Sequence, residues 1–276
     1  MPKISCSLWG YREWTRERAI EDIGSIGYGG VEIVTHGLGT DVGYHLNQDD
    51  LPLSDEGLDQ LKKELSSGNL EVSCLSPSTD FLAPEGWSAQ DNLTVVKNAV
   101  NLATELGKPF VRPFPCASKP GYMTTEEALK IIVRGLQECA EYAGSCGVKL
   151  AVDITHSRVT NIPRNAVDVI GRVDSEYCGV NIHTTGRTAI LIAEAFLYNG
   201  WGDKIFHTHL VDSRRILEEP YRQSVSLGEG DAYIEDFLRL LGDAGYSGWY
   251  NFEGRKEDAR ASFDYLTATL KKLRIA

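Results

Sequence analysis

The 276 residues carry a formal charge of −11, which argues against a phosphate-backbone partner, because nucleic-acid binding needs a concentrated basic face. Hydrophobic content of 42% with 24% charged residues leaves ample material for a globular core. No basic-plus-apolar leader opens the chain and no run of roughly 18 apolar residues occurs, so a soluble, cytoplasmic protein with no membrane partner is expected.

Taken in chain order, Ile4–Trp9 is a first short strand, and Arg16–Ile26 has helical spacing stopped by Gly27. Gly30–Val34 is a second strand. A loop rich in Gly, Asp and His follows, and the stretch 36–53 is either a lid or a mobile surface loop. A helix is expected over Ser54–Ser67, a third strand over Leu70–Leu75 and a helix over Ala89–Leu106. Pro109–Pro113 is strand four, and Thr124 and Gly147 bracket the longest helix as N-cap and stop. Strand five is Val148–Asp153, with a helix near Pro163–Val173; strand six is Cys178–His183, with a helix near Ala189–Tyr198. Lys204–Val211 is strand seven and Asp231–Ala244 helical; Gly248–Glu253 is strand eight, closed by a helix over Glu257–Lys272. Eight short apolar strands alternating with eight helices predict a parallel sheet covered by helices, closed into a single (β/α)8 barrel over 1–276. No Gly-rich dinucleotide fingerprint follows strand one. The six cysteines at 6, 74, 116, 139, 146 and 178 form no C-x-x-C pair and are expected as buried free thiols.

Four polar residues close the last four strands: Asp153, His183, His209 and Glu253. Strand side chains alternate between two faces, so Ala151 and Asp153, Asn181 and His183, His207 and His209, and Asn251 and Glu253 share the lumen parity. Val152, Ile182, Leu210 and Phe252 hold the opposite parity. A buried carboxylate or imidazole without a partner is costly, so such groups are paired or bound to a cation. Each residue alone has a plainer reading: a histidine can be a satisfied hydrogen-bonder, Asp153 can cap a loop and Glu253 can pair with Arg255. Together the four predict a site for a divalent transition metal. Two nitrogens and two oxygens suit Mn, Fe, Co or Zn better than Ca or Mg.

At these motifs the chain resembles the xylose-isomerase-like TIM barrels, a superfamily of sugar isomerases and epimerases that also holds an endonuclease and several dehydratases. The specific likeness lies in the tail: His207-Thr-His209-Leu-Val-Asp212, then Leu227-Gly-Glu-Gly-Asp231, then Gly245-Tyr-Ser-Gly-Trp-Tyr-Asn-Phe-Glu253. The resemblance implies metal ligands on strands five to eight, of which the epimerase branch has Glu, Asp, His and Glu, the outer two also moving protons. Here strand five offers Asp153, one methylene shorter, and strand six His183 in place of Asp. The endonuclease branch resembles a histidine-rich trinuclear site that six histidines and an acidic balance do not match. Family likeness also implies homo-oligomers.

The chemistry expected is proton abstraction next to a carbonyl, with the metal polarising that carbonyl and a carboxylate taking the proton. Glu253 is the expected base. Asp153 is expected as ligand and partner acid, with His156 or His207 as the alternative donor. Arg112 and Arg215, with Arg187 and Arg255, follow strand ends and are expected around the substrate, an anionic or oxidised sugar if they are unpaired. Trp9, Phe81 and Trp87 offer either an apolar wall for a sugar or ordinary packing. Return of the proton to carbon gives an isomerase or epimerase; loss of a β-oxygen gives a lyase, a dehydratase or 3-keto-glycoside eliminase. A non-catalytic sugar-binding or partner subunit is the third reading.

Overall fold

The computed structural model describes residues 2–36, 46–47, 50–83, 89–155, 157–184, 186–217 and 222–275. Eight barrel strands run in chain order: β1 (Lys3–Ser7), β2 (Gly30–His36), β3 (Glu71–Pro77), β4 (Phe110–Val111), β5 (Leu150–Asp153), β6 (Cys178–His183), β7 (Ile205–Leu210) and β8 (Trp249–Phe252). Each pairs in parallel with its neighbours, and β1 pairs with both β2 and β8, so the sheet closes into a (β/α)8 barrel. A two-residue strand, Leu46–Asn47, pairs in parallel alongside the end of β2. Most of the stretch read as a lid or loop lies outside the described residues.

The helices are α1 (Arg16–Ile26), α2 (Asp55–Ser67), α3 (Ala89–Glu105), α4 (Thr125–Ser145), α5 (Pro163–Val173), α6 (Arg187–Tyr198), α7 (Ile234–Asp243) and α8 (Ala259–Lys272). Their starts follow from local chemistry. The Thr15, Ser54 and Thr124 side chains accept the backbone N–H three residues on, and Glu127 returns a bond to Thr124, closing a capping box. Pro163 opens α5, where its missing N–H costs nothing. On α4, Ala128, Leu129, Ile132, Val133, Leu136, Cys139, Ala140 and Ala143 form a buried stripe at three- and four-residue spacing, which seats the helix on the sheet.

The strand parity holds. Val152, Ile182, Leu210 and Phe252 pack in the shell between sheet and helices, whereas Asp153, Asn181, His207, His209 and Asn251 are buried polar groups inside the cylinder. Inside the lumen, side-chain hydrogen bonds link residues paired on adjacent strands: Ser5 Oγ to Asn251 (2.8 Å), Ser7 Oγ to Glu32 (3.0 Å) and Asn181 to Asp153 (3.4 Å). The cysteines are free, and all but the half-buried Cys146 are buried. Among the described residues no helix is long and apolar enough to cross a membrane.

One element departs from the expected order. After β7 two further strands pair antiparallel, Asp212–Arg215 against Arg222–Val225, where the sequence reading assigned no element. Asp212 anchors the return. The carboxylate accepts backbone N–H bonds from Ser213, Gly228, Gly230 and Ala232 at 2.9–3.1 Å. A Cβ on Gly230 would stand 2.2 Å from Asp212 Oδ1, so the Leu227–Asp231 motif needs glycine there to let the backbone approach.

Candidate metal centre

His183 ends β6, His209 lies directly opposite it on β7, and Glu253 is the first residue beyond β8. Their lumen parity and strand-end position bring three donors to the carboxyl-terminal mouth of the barrel. His183 Nε2 lies 3.0 Å from Glu253 Oε2 and His209 Nδ1 lies 3.1 Å from the same oxygen. One ligand atom from each of the three residues lies within 4.8 Å of the others. His183 and Glu253 line a cavity of about 570 Å³, together with Trp9, Val34, Ser76, Arg112, Phe114 and Val211.

A second glutamate fixes the imidazole at the centre. Glu32, in the middle of β2, is fully buried, and its Oε2 lies 2.6 Å from His209 Nε2. Ser7 Oγ donates to the other oxygen at 3.0 Å. Burial alone would raise the Glu32 carboxyl, but His209 and His207 hold it well below the usual carboxylate range. Burial likewise opposes a charge on His209, yet Glu253 and Glu32 outweigh it and push the imidazole up to about 10. Glu253 is held low against its own burial by His209 and His183. Two carboxylates around one imidazole thus demand a positive charge between them.

A divalent ion meets that demand, and the residues fit it. Among the described residues His209 Nδ1 is buried without a properly aligned hydrogen-bond partner, while its Nε2 is committed to Glu32. A proton on Nε2 donated to Glu32 leaves the Nδ1 lone pair facing His183 and Glu253, the arrangement in which an outer carboxylate orients a ligating histidine. Two imidazoles and one carboxylate with open positions suit Zn, Mn, Fe or Co.

Asp153, the fourth expected ligand, is placed elsewhere. It pairs in register with Asn181, two residues before His183, so it sits one lumen layer deeper. Two residues beyond β5, Thr155 stands beside His183, and its Oγ1 accepts the His183 N–H at 3.0 Å. Asp153 Oδ2 instead accepts from Arg112 Nη1 at 2.6 Å. Burial works against the Arg112 charge, but Asp153, then Glu32 and Glu253, hold it firmly protonated. Arg112 reaches the cavity and Asp153 does not line it.

The other expected site residues separate. His207 is fully buried, 3.4 Å from Glu32 Oε2, and burial lowers its basicity, so it stays out of substrate reach. Arg215 lies exposed on the antiparallel pair, away from the cavity lining. Arg255 lines the cavity but bonds Asp258 at 2.8 Å, and Arg187 is exposed above Tyr233. Trp9 lines the cavity and Phe81 is core; His156 and Trp87 lie outside the described residues. Glu32 escaped the sequence reading, although a charge between Val31 and Ile33 in an apolar strand satisfies the same parity rule that picked out strands five to eight.

The family model of the xylose isomerase-like TIM barrel matches residues 20–269, and the chain belongs to that family. Comparison with curated proteins gives no match. Among solved structures it is similar to a D-allulose 3-epimerase from Methylomonas sp., with 16% identity, TM-score 0.74 and 98% of each chain covered. It is also similar to the IolI protein with a bound zinc atom, at 20% identity and TM-score 0.70, covering 99% of this chain and 96% of that one. A fusion of a xylose isomerase-like TIM barrel with 4-hydroxyphenylpyruvate dioxygenase matches at 18% identity and TM-score 0.70 over 99% of this chain, which spans 43% of the fusion's length. At these identities the likenesses show the fold.

Proposed function

We propose that this chain is a divalent-metal-dependent isomerase or epimerase of a sugar or polyhydroxy ketone. The observation that carries the proposal is the convergence of His183, His209 and Glu253 within 4.8 Å at the cavity, with His209 gripped from behind by Glu32. The family and its epimerase and zinc-bearing relatives support the same reading.

His183, His209 and Glu253 would hold the ion, which when bound acts as a Lewis acid on the oxygens of a ketose. Glu253 is the one carboxylate of the group that both touches the cavity and is kept ionised. It is assigned as the base that takes the proton from carbon next to the carbonyl. Arg112, aimed by Asp153 and by Ser76 Oγ at 3.0 Å, donates N–H bonds to substrate oxygen and balances the charge that develops there. Val34, Phe114, Val211 and Trp9 form the apolar walls that limit water around the exchanging proton. Asp153 is a positioning residue in this scheme. Return of the proton by Glu253 to the adjacent carbon, with the hydroxyl proton passing from one oxygen to the other, gives the isomer, whereas inversion at one carbon requires a donor on the opposite face.

The test is incubation of the metal-loaded protein with a panel of ketoses in deuterated water. Deuterium entering next to the carbonyl, with a new sugar formed and both lost on chelation, is the expected result. An unsaturated product absorbing in the ultraviolet would replace the isomerase reading with a lyase. No exchange and no conversion with Mn, Co, Fe or Zn would sink both.

A further inference from the structure

Beneath the rim lies a second group of donors that the proposed reaction does not use directly. Glu32, Cys74 and His207 are each fully buried inside the barrel, and one ligand atom from each lies within 4.8 Å of the others. They come from β2, β3 and β7, so no local turn explains their meeting; lumen parity does. Neither ring nitrogen of His207 has a hydrogen-bond partner among the described residues: Nε2 stands 3.4 Å from Glu32 Oε2 without the alignment of a bond, and Nδ1 faces no acceptor or donor. A fully buried imidazole with one nitrogen unpartnered and the other held only in a 3.4 Å contact to a carboxylate calls for a further partner. Among the described residues the Cys74 sulfur makes long contacts, 3.7 Å to the Leu75 carbonyl and 3.9 Å to Ser76 Oγ.

We propose that Glu32, Cys74 and His207 bind a second divalent metal ion, deeper than the rim site and different from it in ligand character. A thiolate, an imidazole and a carboxylate form a soft-to-borderline set that selects zinc, or cobalt as its substitute, over manganese or magnesium. Around a tetrahedral zinc such donors stand roughly 3.3–3.6 Å apart. The His207 Nε2 to Glu32 Oε2 separation of 3.4 Å already matches, and rotation of the Cys74 side chain closes the remainder. On binding, the Cys74 S–H bond breaks, its proton leaves to solvent and the sulfur electron pair goes to the metal; no electron is transferred. One thiolate and one carboxylate balance the ion's two positive charges, so the ion and its three ligands together are neutral. Glu32 is shared with His209 at 2.6 Å, so an ion here would fix the carboxylate that orients the rim ligand. A trapped water is the competing occupant.

Cobalt decides between them, because a thiolate bonded to Co(II) gives a near-ultraviolet charge-transfer band that water and a nitrogen–oxygen site do not. The protein is expressed in cobalt-supplemented minimal medium, so that the ion enters this sealed site during folding, and is purified without chelator under argon. The wild type is expected to show the band and about two cobalt ions per chain. Cys74→Ser should lose the band and one ion; His183→Ala should lose one ion and keep the band. Should Cys74→Ser fail to fold, the wild-type band and the loss of one ion without loss of the band in His183→Ala carry the test together. A wild type without the band, a band that survives Cys74→Ser, or one that vanishes in His183→Ala overturns the proposal.

Discussion

Two glutamates grip opposite nitrogens of one histidine, and they differ in everything but their chemistry. Glu32 stands mid-strand on β2, fully buried, with Ser7, His209 and Asn251 around its oxygens. Glu253 stands just past β8, shares its Oε2 with His183 and His209, and faces the cavity. The interior carboxylate therefore has its geometry decided by the fold and does not line the cavity. The rim carboxylate faces the cavity, where the proposed function would give it an ion to hold and a proton to take. Position along the strand, not residue type, divides the labour.

The largest effect expected from breaking this contrast is on the rim. Glu253→Gln keeps the shape and removes the base, so turnover should fall by about 10²–10⁴-fold, measured by deuterium exchange, with an unchanged circular dichroism spectrum. Next comes the pair that aims the cavity arginine. Asp153→Asn strands a buried guanidinium and should cost roughly 3–5 kcal/mol, read from urea unfolding of the metal-free protein. The interior glutamate should act through affinity: Glu32→Gln should weaken metal binding about 10–100-fold by calorimetry, and excess metal should recover much of the turnover. A Glu32→Gln enzyme with wild-type metal affinity and a lost kcat would reverse the roles given to the two carboxylates.

The same histidine predicts a pH dependence. In the metal-free chain His209 is pushed up to about 10 by Glu253 and Glu32 against the opposing pull of burial. Its contribution to stability is therefore complete below the ordinary histidine value of about 6.5 and disappears as pH rises through about 10. Metal binding must displace that proton, so affinity should strengthen by about tenfold per pH unit below 10. Melting curves from pH 6.5 to 9.5 should show the metal-free protein weakening while the stabilisation by added metal grows. The smallest effect is assigned to Arg215→Ala, which should change KM by less than about twofold because the side chain is exposed on the antiparallel pair; a larger change would move the substrate toward that arm.

Much of this was legible in the sequence because its signals are periodic. Eight strand–helix alternations define the barrel, and period-two parity puts His183, His209 and Glu253 in one lumen. What parity cannot supply is height: Asp153 has the right face, but its pairing with Asn181 sets it one layer too low, where Arg112 takes it. Register between strands depends on barrel closure, which no local pattern encodes. The antiparallel pair after β7 was hidden for a related reason. Its return is set by Asp212 gathering four backbone N–H groups, a contact spanning twenty residues from Asp212 to Ala232. Glu32 was readable and overlooked, because it lies in mid-strand rather than at a strand end.

Crystals grown with cobalt and measured on both sides of its absorption edge would test the centre of this account most directly. An anomalous peak is predicted at the barrel mouth within bonding distance of His183, of Glu253 and of the Nδ1 atom of His209, with Nε2 still on Glu32. A mouth without such a peak, or one in which His209 turns its other nitrogen to the ion and leaves Glu32 unpaired, would contradict it.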